Sequence, residues 1–334
     1  MAFEQHSLNG YNSGCAWQLE INLKSLDLFE NCLKDTLNLT EGPIKISDYG
    51  CSEGKNSIIY FSECLKRFRS YSNRTVWITH TDLPSNNWSE VHNLLNSCDF
   101  SYLNLPNTYF STVGRSFFNQ IFPSNSIHVG FSAFSFHYLS KKPVRPEGDT
   151  SLVHGGFIKQ GFEDMKTILK HRIEELVPGG TLTTIVACSG EQLNMVLGKI
   201  FIMPFIALLN QGLISEEKIK TMEWNVHGMK IEEMRNVLKE FDDKIDVVHL
   251  EVNKRICPFY TEYLETHDLS LYQDKLNNYF SVLSKLQLFS ILDDKTEEEK
   301  QMIFERFQEE TKKVIAADLS EVYMEIITLV IRKK

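Results

Sequence analysis

The sequence lacks the motifs of several protein classes. Its seven cysteines include no C-x-x-C pair, so we expect a reducing compartment, free thiols and no zinc site, and we assign no metal-ligating residues. A formal net charge of −9 leaves no basic stripe that could neutralise phosphates. A nucleic-acid partner is therefore not expected.

Long apolar runs are missing as well. The longest, from residue 196 to residue 214, is interrupted by Lys199, Pro204 and Asn210, and a membrane span needs ~20 apolar residues. The N-terminus has no basic region followed by an apolar run, so we expect no signal peptide, no membrane partner and a cytoplasmic protein. H-E-x-x-H, P-loop and G-x-S-x-G motifs are also absent.

What the chain does have is an alternation of strand and helix patterns over its first 190 residues. This alternation predicts an α/β fold with a doubly wound parallel sheet, whose ligands bind at the carboxyl ends of the strands. The predicted strands in this part are Lys45–Tyr49, Val76–Thr79, Phe100–Leu103, Ile127–Phe131 and Gly180–Ala187.

The later part of the chain is mostly helical. We predict a core of residues 31–189 that is completed by strands 244–252 and 320–334. Residues 190–243 and 255–317 are predicted to form a helical cap over the strand ends.

The segment from Ile44 to Asn56 is the most informative stretch. It predicts a buried strand with Asp48 at its carboxyl end, followed by a turn through Gly50 and Gly54 into a helix. The spacing is not the G-x-G-x-x-G of dinucleotide sites, and Glu53 would repel a phosphate. We therefore expect a ligand that carries an amino group or a sulfonium.

Four segments stand in a fixed order along the chain. They are residues 11–18, residues 48–56, residues 80–84 and residues 116–140 with their Ser-Phe and Ser-x-x-x-x-His-Tyr patterns. Together they resemble the SABATH family of plant-type carboxyl methyltransferases, and the resemblance covers nearly the whole chain. It implies a class I methyltransferase fold that binds S-adenosylmethionine and a small carboxylic acid, often as a homodimer, and that residues 1–30 close the site.

The resemblance implies a role for each cofactor residue. Asp48 would pair with the α-ammonium, Asp82 would accept both ribose hydroxyls, and Leu83 would pack on the adenine. Cys15 and Arg115 depart from the serine and glycine that are usual in the family. The complete implied cofactor set is Tyr11, Asp48, Gly50, Asn56, Asp82, Leu83, Ser116 and Phe117.

The same resemblance implies that Gln18, His137 and Tyr138 orient the substrate. Tyr138 stands where many relatives have a tryptophan, and Phe134 would be an aromatic wall. If the N-terminal segment is one helix, Tyr11 and Gln18 share a face, because they lie at i and i+7.

The implied chemistry needs little proton transfer. A carboxylic acid with a pKa near ~4 is ionised at neutral pH and can attack the sulfonium methyl without a general base. Two alternatives remain open from the sequence: methylation of a nitrogen in a small heterocycle, and a catalytically silent relative that only binds the cofactor.

Overall fold

The fold is a seven-stranded sheet with helices on both faces, seen in a computed structural model that describes residues 10–144, 146–147, 154–189, 197–222 and 226–334. The strand order is β3-β2-β1-β4-β5-β7-β6. Strands β1 to β5 run parallel, and β7 is antiparallel to both of its neighbours. The strands are β1 Ile44–Tyr49, β2 Val76–Asp82, β3 Thr108–Gly114, β4 Ile127–Ala133, β5 Leu176–Ala187, β6 Ile245–Ile256 and β7 Tyr323–Lys333.

The helices of the described residues follow the apolar periodicity of the sequence. Short 3₁₀ turns lie at Tyr11–Ser13 and Tyr102–Asn104, and a π-helical turn at Leu197–Ile202. The α-helices are α1 Ala16–Leu23, α2 Leu26–Thr36, α3 Lys55–Phe68, α4 Trp88–Ser97, α5 Gly155–Glu175, α6 Met203–Asn210, α7 Glu216–Thr221, α8 Ile231–Lys239, α9 Pro258–Thr266, α10 Leu269–Ile291 and α11 Glu297–Ala317. None of these helices is both long and apolar enough to span a membrane.

The two faces of the sheet are covered by different helices. Helices α2, α3 and α4 bury one face with β1 and β2, while α5 and α8 bury the other with β5 and β7. Helices α6, α10 and α11, which lie in the stretches predicted to form the cap, share a separate apolar cluster. Helix α8 therefore belongs to the core layer, although it lies inside the stretch 190–243 that the sequence assigned to the cap.

One strand prediction is wrong. Residues 100–103 contain no strand; Tyr102 begins a 3₁₀ turn that Ser101 caps by accepting a hydrogen bond from the Leu103 amide. The real third strand is Thr108–Gly114. Its hydroxyl-rich sequence and its place at the edge of the sheet hide the apolar alternation by which strands are recognised.

Candidate functional site

The candidate site lies where the strand order reverses. Strand β1 pairs with both β2 and β4, so the carboxyl ends of β1 and β2 open into the crevice where α/β sheets bind ligands. Asp48 lies near the end of β1, and Asp82 is the last residue of β2. Ser116 and Phe117 follow β3, and residues 134–138 follow β4.

The loop after β1 is a tight glycine turn. Gly50 and Gly54 have φ values of 82° and 88°, and Gly54 is the N-cap of α3. A Cβ at Gly50 would collide with the Ser135 side chain, so the backbone of this loop approaches the segment after β4 closely. This brings the cofactor and substrate residues of the sequence prediction together.

Glu53 holds the N-terminal segment. Its carboxylate is buried and accepts hydrogen bonds from the backbone N–H groups of Gly10 (2.9 Å) and Asn12 (3.2 Å). The carboxylate thus ties this segment to the glycine loop, and its repulsion of a phosphate stays a prediction.

Asp82 is oriented by two backbone donors. Its Oδ2 accepts from Ser52 N and its Oδ1 from Leu83 N, both at 2.7 Å. Burial raises the Asp82 pKa to about 6, against the effect of these two N–H groups, and nearby Asp48 raises it further. Each carboxylate oxygen can accept one more hydrogen bond, as a pair of ribose hydroxyls requires.

Asp48 is the end of a buried chain of side chains. Its Oδ2 lies 2.8 Å from His80 Nδ1, and His80 Nε2 lies 2.7 Å from the Tyr102 hydroxyl. Asp48, Cys51 and His80 could each offer one ligand atom to a metal ion, within 4.8 Å of one another. Both imidazole nitrogens already have hydrogen-bond partners, so an ion there would have to break the bond between His80 and Asp48.

The loop that carries Ser116 and Phe117 is held by an ion pair that the sequence analysis missed. Arg172 and Glu175, both fully buried on α5, form a two-bond ion pair. Arg172 also donates to the carbonyl of Phe117, and Glu175 accepts from the Ile121 amide. The i, i+3 spacing of opposite charges on an apolar helix was the available signal.

The N-terminal segment is not one helix, so the expected common helical face of Tyr11 and Gln18 is wrong. The 3₁₀ turn ends at Ser13 and α1 begins at Ala16. Gly14 breaks the helix where the backbone packs against α10, because a Cβ there would lie 2.7 Å from Val282.

Cys15 and Asn56 bind each other. The thiol donates to Asn56 Oδ1 (3.1 Å), and Asn56 Nδ2 donates to the Cys15 carbonyl (3.0 Å). The cysteine therefore keeps a hydrogen-bonding link to the glycine loop despite replacing the family's serine. A role for Asn56 in cofactor binding stays a prediction.

Two of the predicted substrate residues have buried polar atoms without partners. Gln18 Oε1 and His137 Nδ1 are buried and make no hydrogen bond within the described residues. Burial lowers the His137 pKa to about 4, so its imidazole is neutral at pH 7. The His137 and Tyr138 rings stack with centroids 5.1 Å apart.

Tyr11 begins the N-terminal 3₁₀ turn. Its pKa is raised well above the usual value, first by burial and then by Cys15, Tyr279 and Tyr138. Burial and, after it, Asp82 raise the Tyr138 pKa, so that side chain keeps its proton. The sequence also suggests Trp224, His227 and Phe259 as residues that shape the pocket, and of these Trp224 lies outside the described residues.

The residues present fit S-adenosylmethionine. Two carboxylates stand at neighbouring strand ends, a glycine loop allows close approach, and half-buried Leu83 and Phe117 offer apolar surface. The unpaired atoms of Gln18 and His137 belong to residues that are predicted to orient the methyl acceptor. The donor and acceptor types therefore suit a cationic cofactor beside a polar substrate.

Comparisons with known proteins agree with this fit. Residues 6–334 match the family model described as SAM dependent carboxyl methyltransferase. Farnesoic acid carboxyl-O-methyltransferase of Arabidopsis thaliana is 25% identical over 260 residues, which are 70% of this chain and 73% of that protein. Paraxanthine methyltransferase 2 of Arabidopsis thaliana is 24% identical over 294 residues, 79% of this chain and 82% of that protein.

A solved structure shows the same fold. Loganic acid methyltransferase with SAH superposes with a TM-score of 0.73 at 18% identity, covering 100% of this chain and 98% of that one. The sheet order, with β7 antiparallel in an otherwise parallel core, is thus that of a class I methyltransferase. The chain belongs to the SABATH family of S-adenosylmethionine-dependent carboxyl methyltransferases.

Proposed function

We propose that this protein uses S-adenosylmethionine to methylate the carboxylate of a small, apolar or aromatic acid. The observation that carries the proposal is the neutrality of the substrate residues. Burial lowers the His137 pKa to about 4, Tyr138 keeps its proton, and Gln18 has no charge. Such a group can bind an anion by hydrogen bonds without neutralising it.

The residues would act mainly by positioning. The cofactor supplies an electrophilic methyl group on a sulfonium, and the acid arrives already ionised. Gln18, turned to present its amide N–H, and the Tyr138 hydroxyl would hold the carboxylate. Aligning the nucleophile with the methyl and excluding water can contribute several kcal/mol to the rate, roughly as in other well-oriented reactions.

The test is a screen of small carboxylic acids with methyl-labelled cofactor. An ester product releases labelled methanol in mild alkali, whereas a methyl group on nitrogen stays attached. Alkali-labile product with an apolar or aromatic acid is the expected result. Transfer only to heterocycles, with alkali-stable product, would overturn the proposal.

Methylation of nitrogen is the second candidate. A relative named as a paraxanthine methyltransferase supports it, as does Tyr138 in place of the family's tryptophan. The third candidate, a silent relative, predicts that the protein binds S-adenosylhomocysteine but methylates nothing in either screen. The link between Cys15 and Asn56 speaks against it, because the departure at Cys15 leaves the segment attached.

We also propose a cytoplasmic homodimer. Seven free cysteines suit a reducing compartment. Strand β6 ends the sheet, and its exposed Val247, Val248 and Val252 give an apolar edge suited to a second copy. Sedimentation at micromolar concentration should give twice the chain mass, and fractionation of cells should place the protein with cytoplasmic markers.

A further inference from the structure

Asp48, His80 and Tyr102 form a hydrogen-bonded chain of side chains. A contact between Asp48 and the cofactor alone would not require the other two residues. All three residues are at most 1% exposed. Asp48 and His80 are register partners on adjacent parallel strands, so both side chains leave the sheet on the same face. The His80 and Tyr102 rings also stack, with centroids 5.9 Å apart.

The chemistry of the three groups fixes where the protons lie. An ionised carboxylate only accepts hydrogen bonds. His80 Nδ1 therefore carries a proton and donates a hydrogen bond to Asp48. The Tyr102 pKa is raised well above its usual value, chiefly by burial, so Tyr102 keeps its proton and donates to Nε2. Every polar atom between the phenol and the carboxylate is thereby satisfied with a neutral imidazole.

We propose that His80 is a positioning residue for the amino-acid end of the cofactor. Its Nδ1–H donates to Oδ2 of Asp48. Asp48 Oδ1 makes no hydrogen bond within the described residues and is therefore available to accept one from the α-ammonium. Tyr102 selects the imidazole tautomer that makes this possible. The inference rests on the proposed role of Asp48 in binding that ammonium.

Two probes separate positioning from a purely structural role. S-adenosylhomocysteine carries the ammonium, whereas 5′-methylthioadenosine has the same adenosine and lacks the amino-acid end. Damage to the fold would weaken the binding of both probes. Loss of Asp48 alignment would weaken only the binding of S-adenosylhomocysteine. Their dissociation constants are measured by calorimetry on the whole chain.

Matched variants at His80 sharpen the test. Asparagine in His80→Asn can place its N–H near the former Nδ1, while glutamine in His80→Gln reaches the Nε2 position and leaves Asp48 without its donor. We expect His80→Gln to weaken S-adenosylhomocysteine binding by ~10- to 100-fold, as for an unpaired buried group, and methylthioadenosine binding by less than about twofold. His80→Asn should retain most of the affinity, and Tyr102→Phe should lose about threefold.

The imidazole itself gives a measurement that does not depend on variants that fold. Nitrogen NMR of the wild-type protein should show the Nδ1–H tautomer of His80, with a shift that changes on adding S-adenosylhomocysteine but not methylthioadenosine. An Nε2–H tautomer, or equal weakening of both probes in His80→Gln, would overturn the positioning role. Wild-type protein that binds neither probe would instead overturn the proposed function, and this role with it.

Discussion

The predicted cofactor side of the site, with Asp48, Asp82 and the Ser116–Phe117 loop, differs from the predicted substrate side, with Gln18, His137 and Tyr138. On the first side the carboxylates are held by backbone N–H groups or a buried histidine, and the loop is held by the ion pair of α5. On the second side, polar atoms of Gln18 and His137 are buried and have no partner among the described residues. The first side is thus supported by hydrogen bonds within the fold, whereas the second leaves buried polar atoms unpaired.

This difference has a physical reason. Every enzyme of the family binds one cofactor, so the residues that hold it can be fixed by the fold itself. Unpaired buried atoms cost about 1–3 kcal/mol each, and a site that leaves them unpaired gains that amount when the right polar group arrives. We therefore expect substitutions on the two sides to differ in their effects on stability and on binding.

The largest effect is expected at the buried ion pair. Glu175→Gln leaves the Arg172 guanidinium without its countercharge, so the free energy of unfolding should fall by about 3–5 kcal/mol in denaturant titration. Exposed Glu174→Gln on the same helix is the control and should change it by less than about 0.5 kcal/mol. Similar stabilities for the two variants would mean that the cofactor side is not built into the core.

Asp82→Ala should weaken cofactor binding by about 1–3 kcal/mol, because the ligand hydroxyls lose a carboxylate that accepts both. Calorimetry with S-adenosylhomocysteine measures the change, and exposed Asp99→Ala serves as control. An unchanged dissociation constant would remove Asp82 from the site.

Gln18→Leu should separate the two sides. We expect kcat/KM for the acid to fall by about 10- to 100-fold, with the cofactor dissociation constant within about twofold of wild type. The unfolding free energy should stay the same or rise, because an unpaired buried oxygen is removed. Gln301→Leu, exposed on α11, is the control. If cofactor binding collapses instead, α1 belongs to the cofactor side.

Cofactor affinity should depend on pH through Asp82. Its pKa near about 6 means that the carboxylate is ionised at pH 7 and mostly protonated at pH 5. Affinity should therefore fall up to about tenfold as the pH drops from 7 to 5, since the protonated group accepts fewer hydrogen bonds. The slope should disappear in Asp82→Asn, and a persistent slope would assign the titration to another group.

The smallest effect is expected at His137. If positioning carries the rate, His137→Asn should keep a substantial share of kcat, and wild-type kcat should stay flat between pH 8 and pH 6, because the His137 pKa lies near about 4. If His137 were a general base, His137→Asn would instead lower kcat roughly a hundredfold, and wild-type kcat would titrate in this range. That outcome would favour methylation of nitrogen.

The sequence predicted the strand ends better than it predicted their partners. The strands at Asp48 and Asp82 were found because buried parallel strands have clear apolar patterns and end at glycine or proline turns. The edge strand Thr108–Gly114 was missed because half-exposed strands lack that pattern. The role of each site residue stays a prediction that the experiments above test.

Partners that are distant in sequence could not be predicted. His80 and Tyr102 meet only because a 3₁₀ turn after α4 places the phenol under β2. The charge of Glu53 was interpreted from the sequence only as repelling a phosphate, whereas in the folded chain its carboxylate also accepts from backbone N–H groups 41 and 43 residues away. Local sequence patterns do not show which distant residue will donate or accept each hydrogen bond.

The attachment of the N-terminal segment to Glu53 has a consequence for turnover. The segment contains Tyr11, predicted to bind the cofactor, and Gln18, predicted to orient the substrate, so a single opening that breaks these hydrogen bonds would free both residues. Spent cofactor and ester would then leave through the same event. In that case the first turnover is faster than the following ones, and the slow rate is the same for acids of different reactivity.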